Sequence, residues 1–249
     1  MRDKIALVTG GASGIGQAAV RGFSERGAKL VIADIADDAG QALAKEIEAG
    51  GGSAVYMHAD MTLEDHVARV MAEIGEKFGR LDIAFNNVGY SWGRGLEDIT
   101  SDDWDRTIAL SLKAPWLCIK HEAPIMTKSG GGCIVNTASM AGVRYSVHSS
   151  AAYASAKAGV LHLTTYAANH LAAANIRVNA VSPGLTLTPA IEKHFPNEKQ
   201  QVSFEGDFQM IPRGVKPEEI AAAVIWLCSD EAKMVTGENI CVAGGAQAK

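Results

Sequence analysis

Short apolar or β-branched runs alternate with helix-period stretches along the whole chain, and this alternation constrains the fold more than any other feature. The runs cover residues 5–9, 29–34, 54–57, 83–86, 132–137, 176–182 and 238–243. Between most of them lie stretches of helical periodicity at 17–26, 40–49, 63–77, 104–123, 153–173 and 217–229. Strands that alternate with helices predict βαβ units joined by right-handed crossovers, and hence a parallel sheet covered on both faces. A chain of 249 residues, 47% of them hydrophobic, can bury a sizeable core without metal or disulfide staples. No low-complexity linker or internal repeat divides it, so a single α/β domain over 1–249 is expected. The least regular stretch, 185–213, carries Pro189, Pro196 and Pro212 and reads as a substrate-binding loop or lid.

Charge and cysteine usage exclude several function classes. Twenty-three basic and 28 acidic residues give a net charge of −5, with no basic stripe of the kind that grips nucleic acid or an anionic membrane. The four cysteines, Cys118, Cys133, Cys228 and Cys241, are far apart and form no Cys-x-x-Cys pair. That spacing argues against a metal site and fits a reducing compartment. The apolar runs are too short to span a bilayer, and the first is too short for a signal peptide. A soluble, cytoplasmic protein is expected.

The first run leads into Thr9-Gly10-Gly11-Ala12-Ser13-Gly14-Ile15-Gly16, and a helix begins there. Gly10 permits the tight turn, Gly14 lets backbone approach a pyrophosphate, and Gly16 lets helix and strand pack closely. The helix N-terminus then offers free N–H groups and a positive dipole end to the phosphates. An ordinary glycine-rich turn is the plainer alternative, but the position between first strand and helix favours a nucleotide site. Asp34 ends the second run, 18 residues past Gly16, where an acid hydrogen-bonds the adenosine ribose. A carboxylate there repels a 2′-phosphate, and neither Ser13 nor Ile35 supplies a cation, so NAD is favoured over NADP. The plainer alternative is a strand-end Asp that caps a turn.

Tyr153-Ala-Ser-Ala-Lys157 lies in a helical stretch. Residues four apart share a helix face, so the phenol and the ammonium approach one small volume. A neighbouring cation favours phenolate and lowers a Tyr pKa from its usual value, which suits Tyr153 to proton transfer. Such a pair also occurs on exposed helices with no function.

Taken in order, Thr9-Gly-x-x-x-Gly-x-Gly16, Asn86-Asn87-Val88-Gly89, Ser139, Tyr153-x-x-x-Lys157 and Arg177-Val-Asn179-x-Val-x-Pro183-Gly184 resemble the short-chain dehydrogenase/reductase family, over nearly the whole chain. The resemblance implies a Rossmann-like doubly wound domain with a seven-stranded parallel sheet, a nicotinamide cofactor, and hydride transfer at a carbinol or carbonyl carbon. It makes Tyr153 the general base or acid and has Ser139 hydrogen-bond the substrate oxygen. Lys157 would tune Tyr153 and bind the nicotinamide ribose. Cofactor contacts fall on Gly10, Ser13, Gly14, Ile15, Gly16, Asp34 and Ile35, with Asp60 and Met61 at the adenine. Asn87 and Gly89 would lie beside the adenine ribose, Asn87 also serving the sheet. Pro183 and Gly184 would run along the nicotinamide, with Thr186 and Thr188 at its carboxamide unless they only form a Ser/Thr turn. The family commonly forms homotetramers.

Two departures stand out. Ser111 occupies the position of a fourth catalytic residue, an Asn that props up a water relay in the family; its hydroxyl is expected to support a shifted water. Ala243-Gly244-Gly245 replaces the common Asp-Gly-Gly. The substrate wall is expected from Tyr90, Trp92, Met140, Tyr145, His148, Phe195, Phe204 and Phe208, an apolar and aromatic set that favours a cyclic or hydrophobic secondary alcohol or ketone. Arg94, Arg144 and Lys193 leave room for a carboxylate or sulfonate instead. The leading expectation is an NAD-dependent secondary-alcohol dehydrogenase. The alternatives are an NADPH-dependent carbonyl reductase and a non-catalytic NAD-binding regulatory protein.

Overall fold

The computed structural model describes residues 1–146, 149–188 and 209–248. Seven parallel strands, β1 (Ile5–Thr9), β2 (Lys29–Asp34), β3 (Ser53–His58), β4 (Ile83–Asn86), β5 (Gly132–Thr137), β6 (Ile176–Pro183) and β7 (Asn239–Val242), form one sheet in the order 3-2-1-4-5-6-7. The connections are α1 (Gly14–Glu25), α2 (Asp37–Ala49), α3 (Glu64–Phe78), α4 (Ser101–Ile108), α5 (Ala114–Lys128), the short α6 (Met140–Val143), α7 (Ala151–Leu171) and α8 (Pro217–Leu227). This is a Rossmann-like doubly wound α/β fold.

Both faces of the sheet are covered, so the strands read as continuous apolar runs rather than alternating ones. Successive side chains nevertheless part to opposite faces. Ala6, Val8, Leu30 and Ile32 pack with α1, α2 and α8, through Phe23, Leu43 and Ile220 among others. Ile5, Leu7, Val31 and Ala33 pack with α3, α5 and α7, through Ile74, Leu117 and Ala167. Asp82 fixes the foot of β1: its Oδ2 accepts from Ile5 N at 2.9 Å, and its carboxylate pairs with Lys4 and Arg80.

Strand positions follow the sequence reading to within a residue or two at each end. The expected helix at 104–123 differs more. It is α4, a π-helical turn at Ala109–Lys113, and α5, which continues to Lys128. A π-turn widens the helix by one residue per turn and commonly marks a functional site. Here it carries Ser111.

Winding reverses between β1 and β4, because the chain runs outward through β2 and β3 and then returns to continue through β5, β6 and β7. In an open α/β sheet the ligand crevice lies beyond the carboxyl ends of the strands at that reversal.

Candidate active site

The crevice at the reversal is a cleft of about 1090 Å³. Each wall is the residue or loop that follows a strand. Gly10, Ser13, Gly14 and Ile15 follow β1, while Asp34 ends β2 and Ile35 follows it. Asp60 and Met61 follow β3, and Asn87 and Gly89 follow β4. Ser139 follows β5, and Pro183, Gly184, Thr186 and Thr188 line the cleft at the end of β6 and beyond it. Tyr153 and Lys157 enter from α7.

The glycine loop fits a backbone-lined phosphate cradle. Gly14 has φ of +51°. A Cβ on Gly16 would lie 2.1 Å from the Gly10 carbonyl oxygen, so only glycine lets α1 start this close to the loop. Gly16 thus shapes the cradle from behind without lining it. Asp34 accepts from Ala12 N at 2.9 Å and Ala36 N at 3.0 Å, which holds its carboxylate at the edge of the loop. Carboxylate oxygens have lone pairs to spare after these bonds. Asp37 adds a second carboxylate nearby. Its Oδ1 accepts from the Tyr56 hydroxyl and lies 2.7 Å from His58 Nδ1, and these contacts hold its pKa below the usual carboxylate value.

Asn87 is mainly a strut. Its N–H donates to Thr9 Oγ1 at 3.0 Å and its Nδ2 to Gly10 O at 3.2 Å, while its Oδ1 accepts from Thr137 Oγ1 at 3.3 Å. Asp60 takes both the N–H and the hydroxyl of Thr62 on Oδ1. Thr186 Oγ1 donates to Gly184 O at 3.1 Å. The Arg177 and Asn179 motif residues lie away from the cleft, where they hold the Leu227 and Val235 carbonyls and fasten the C-terminal segment to β6.

At the other end of the cleft three side chains converge. Ser150 caps α7 by accepting from Tyr153 N at 3.2 Å, which sets the first turn of the helix. Lys157, one turn further on, is 1% exposed; its Nζ donates to Thr137 O at 2.7 Å and lies 5.6 Å from the centroid of the Tyr153 ring. Ser139 caps α6, its Oγ accepting from Ala141 N at 3.2 Å. Burial pushes the Tyr153 phenol above its ordinary pKa, and interaction with the Ser139 hydroxyl offsets part of that rise. Burial also pushes the Lys157 ammonium down to about 7. In the protein alone, desolvation therefore outweighs the lowering of the Tyr153 pKa expected from the Tyr-x-x-x-Lys spacing.

Ser111 is not on the cleft surface. It is fully buried, and its Oγ both accepts from Tyr90 N at 3.1 Å and donates to Tyr90 O at 2.9 Å. The hydroxyl proton expected to hold a shifted water is spent on the backbone of the substrate wall.

Of the expected substrate wall, Tyr90, Trp92, Met140 and Tyr145 line the cleft. His148, Phe195, Phe204 and Phe208 lie outside the described residues, as do Lys193 and most of the expected lid. Arg106, which the sequence reading passed over, also lines the cleft, its guanidinium carbon 4.5 Å from the Trp92 ring centroid. Only folding brings α4 against the loop after β4, so no local pattern marks this pair.

A family model described as enoyl-(acyl carrier protein) reductase matches residues 10–247. The cis-4-hydroxycyclohexanecarboxylate dehydrogenase of Sinomonas cyclohexanicum is 38% identical over 244 residues, covering 98% of this chain and 96% of that enzyme. A solved short-chain type dehydrogenase/reductase from Mycobacterium ulcerans superposes with a TM-score of 0.94 at 32% identity, over 100% of this chain and 91% of the other. A 7α-hydroxysteroid dehydrogenase complexed with NADH and 7-oxo glycochenodeoxycholic acid superposes with a TM-score of 0.92 at 33% identity, over 98% and 94%.

Proposed function

This chain belongs to the short-chain dehydrogenase/reductase family, and from that premise we propose that it moves a hydride between NAD and a cyclic or otherwise hydrophobic secondary alcohol or its ketone. The observation that carries the reading is the meeting of Ser139, Tyr153 and Lys157 in the same cleft as the glycine loop. When bound, the dinucleotide supplies the hydride acceptor or donor at its nicotinamide ring.

The chain's own groups supply the proton chemistry. Tyr153 takes the hydroxyl proton during oxidation and gives it back during reduction. Burial holds the phenol protonated at neutral pH but makes it a weaker acid, and the Ser139 hydroxyl works against that rise. The Ser139 hydroxyl donates to the substrate oxygen as negative charge develops there, and it favours the phenolate of Tyr153. Lys157 donates to Thr137 O, its one hydrogen bond among the described residues, and its remaining donors suit the two ribose hydroxyls. Asp34, flanked by the exposed, uncharged Ile35, supports NAD because a 2′-phosphate would meet its carboxylate. The Sinomonas relative, named for a ring alcohol, supports a cyclic substrate.

The test is NADH formation over a panel of cyclic, aromatic, steroidal and sugar-like secondary alcohols, repeated with NADP. Tyr153→Phe should lower turnover by at least about a hundredfold while NADH binding, read by fluorescence, stays nearly unchanged. Full turnover in the Phe variant would overturn the mechanism. A higher kcat/KM with NADP would overturn the cofactor preference and favour the carbonyl-reductase alternative.

A further inference from the structure

We infer that the substrate is anionic: a ring-bearing secondary alcohol or ketone that carries a carboxylate, bound by Arg106 and Arg94 at the mouth of the cleft. The inference rests on the hydride-transfer reading and adds the charge of what is bound.

Charge is sorted along the cleft. Its acidic lining residues, Asp34 and Asp60, follow β2 and β3 at the adenine end. Arg94, Arg106 and Lys157 line the end that holds Ser139 and Tyr153, and no Asp or Glu lines that end among the described residues. In a chain with a net charge of −5, such sorting is not a consequence of composition.

The loop that carries Arg94 is held in place, and the Arg106 guanidinium is stacked. Trp92 N donates to Thr107 Oγ1 at 3.2 Å, which fastens the loop after β4 to α4. The same loop is tied to the start of α7, where Ala151 N donates to Gly95 O at 2.9 Å and the Ser91 and Ser150 hydroxyls lie 2.9 Å apart. Arg94 therefore sits on a segment tied to Ser150 and Ala151, three and two residues before Tyr153. Arg106 stacks on Trp92, whose ring meets Tyr90 edge-to-face at 4.8 Å. Asp102, Asp103 and Asp105 share α4 with Arg106, yet neither Arg106 nor Arg94 forms an ion pair among the described residues. An aromatic shelf beside a stacked guanidinium whose fork is not engaged by a carboxylate fits a ring on the shelf and a carboxylate in the fork.

The test compares NAD-dependent oxidation of matched secondary alcohols, para-carboxy-α-methylbenzyl alcohol and its cyclohexyl counterpart, each as the free carboxylate and as the methyl ester. The carboxylates should be favoured in kcat/KM by about tenfold or more, mostly through KM, which corresponds to one charge-assisted contact. Added salt should shrink the preference. Arg106→Gln should collapse the carboxylate-to-ester ratio and Arg106→Lys should restore part of it, both variants checked for an unchanged melting temperature. Esters that match or exceed the carboxylates would overturn the inference while hydride transfer stands, and so would a ratio that survives Arg106→Gln. Failure of the whole panel with both dinucleotides would instead remove the reading beneath it.

Discussion

The Asn86 side-chain amide donates to Glu122 Oε2 at 3.1 Å and to Asn136 Oδ1 at 3.1 Å, in the fully buried space where β4, β5 and α5 meet. Asn86 Oδ1 and Glu122 Oε1 have no hydrogen-bond partner among the described residues. Two orphan acceptors in one buried acid–amide pair call for a proton, and a protonated Glu122 supplies the missing donor. Burial pushes this carboxyl up to about 8.

The sign of the resulting pH dependence follows from linkage. A folded-state pKa raised above the ordinary 4.5 means that the native protein holds a proton the unfolded chain has lost. The stability from this group is fully present below the unfolded value and is lost as pH rises through about 8. Glu122→Gln keeps a side chain of similar shape with a permanent donor and removes the titration. Its melting temperature should gain on the parent's from about pH 5 to about pH 8 and hold a constant lead above that. Other titrating groups, Lys157 included, are common to both proteins and cancel in the difference. Melting curves that stay parallel over this range would show that Glu122 is already ionised in the fold.

Ser111 gives a second prediction, opposed to the water-relay role that its position suggests. Ser111→Ala would leave Tyr90 N–H and C=O without their partner hydroxyl at a fully buried point. The expected cost is about 1 to 3 kcal/mol of stability. Because Tyr90 begins the substrate wall, KM should rise more than kcat falls, and the pH–rate profile should keep its shape. A displaced profile with an unchanged melting temperature would return Ser111 to the proton path.

The strands and the site loops were legible in the sequence for a physical reason. Parallel strands buried on both faces need unbroken apolar runs, and a loop that brings backbone to a phosphate needs glycine where no side chain fits, as at Gly16. The Tyr153–Lys157 pair was legible because helical spacing alone puts both on one face. What the sequence could not give depends on partners remote in the chain. Arg106 joins Trp92 only once α4 folds against the loop after β4, and Glu122 meets Asn86 across 36 positions. The direction of the Tyr153 pKa was also hidden, because spacing reveals a nearby cation and says nothing of how dry the pocket is.

Lys157 offers the most direct test of that dryness. In the protein alone its ammonium has Thr137 O for a partner at 2.7 Å, and burial brings its pKa down to about 7. Gly89 leaves it room, since a Cβ there would lie 2.8 Å from Nζ. Above pH 7 the free protein therefore holds Lys157 largely neutral. Ribose hydroxyls laid against it accept hydrogen bonds from the charged form, so binding raises its pKa and takes up a proton. The affinity for NADH should accordingly fall as pH rises above about 7, by up to tenfold per pH unit. Calorimetric titration of NADH near pH 8, in two buffers of different ionisation enthalpy, should give two different heats, from which the proton uptake follows. Lys157→Met should bind more weakly and give the same heat in both buffers. Equal heats in the parent protein would mean that Lys157 is already charged before NADH arrives, and that its pocket is wetter than a side chain only 1% exposed implies.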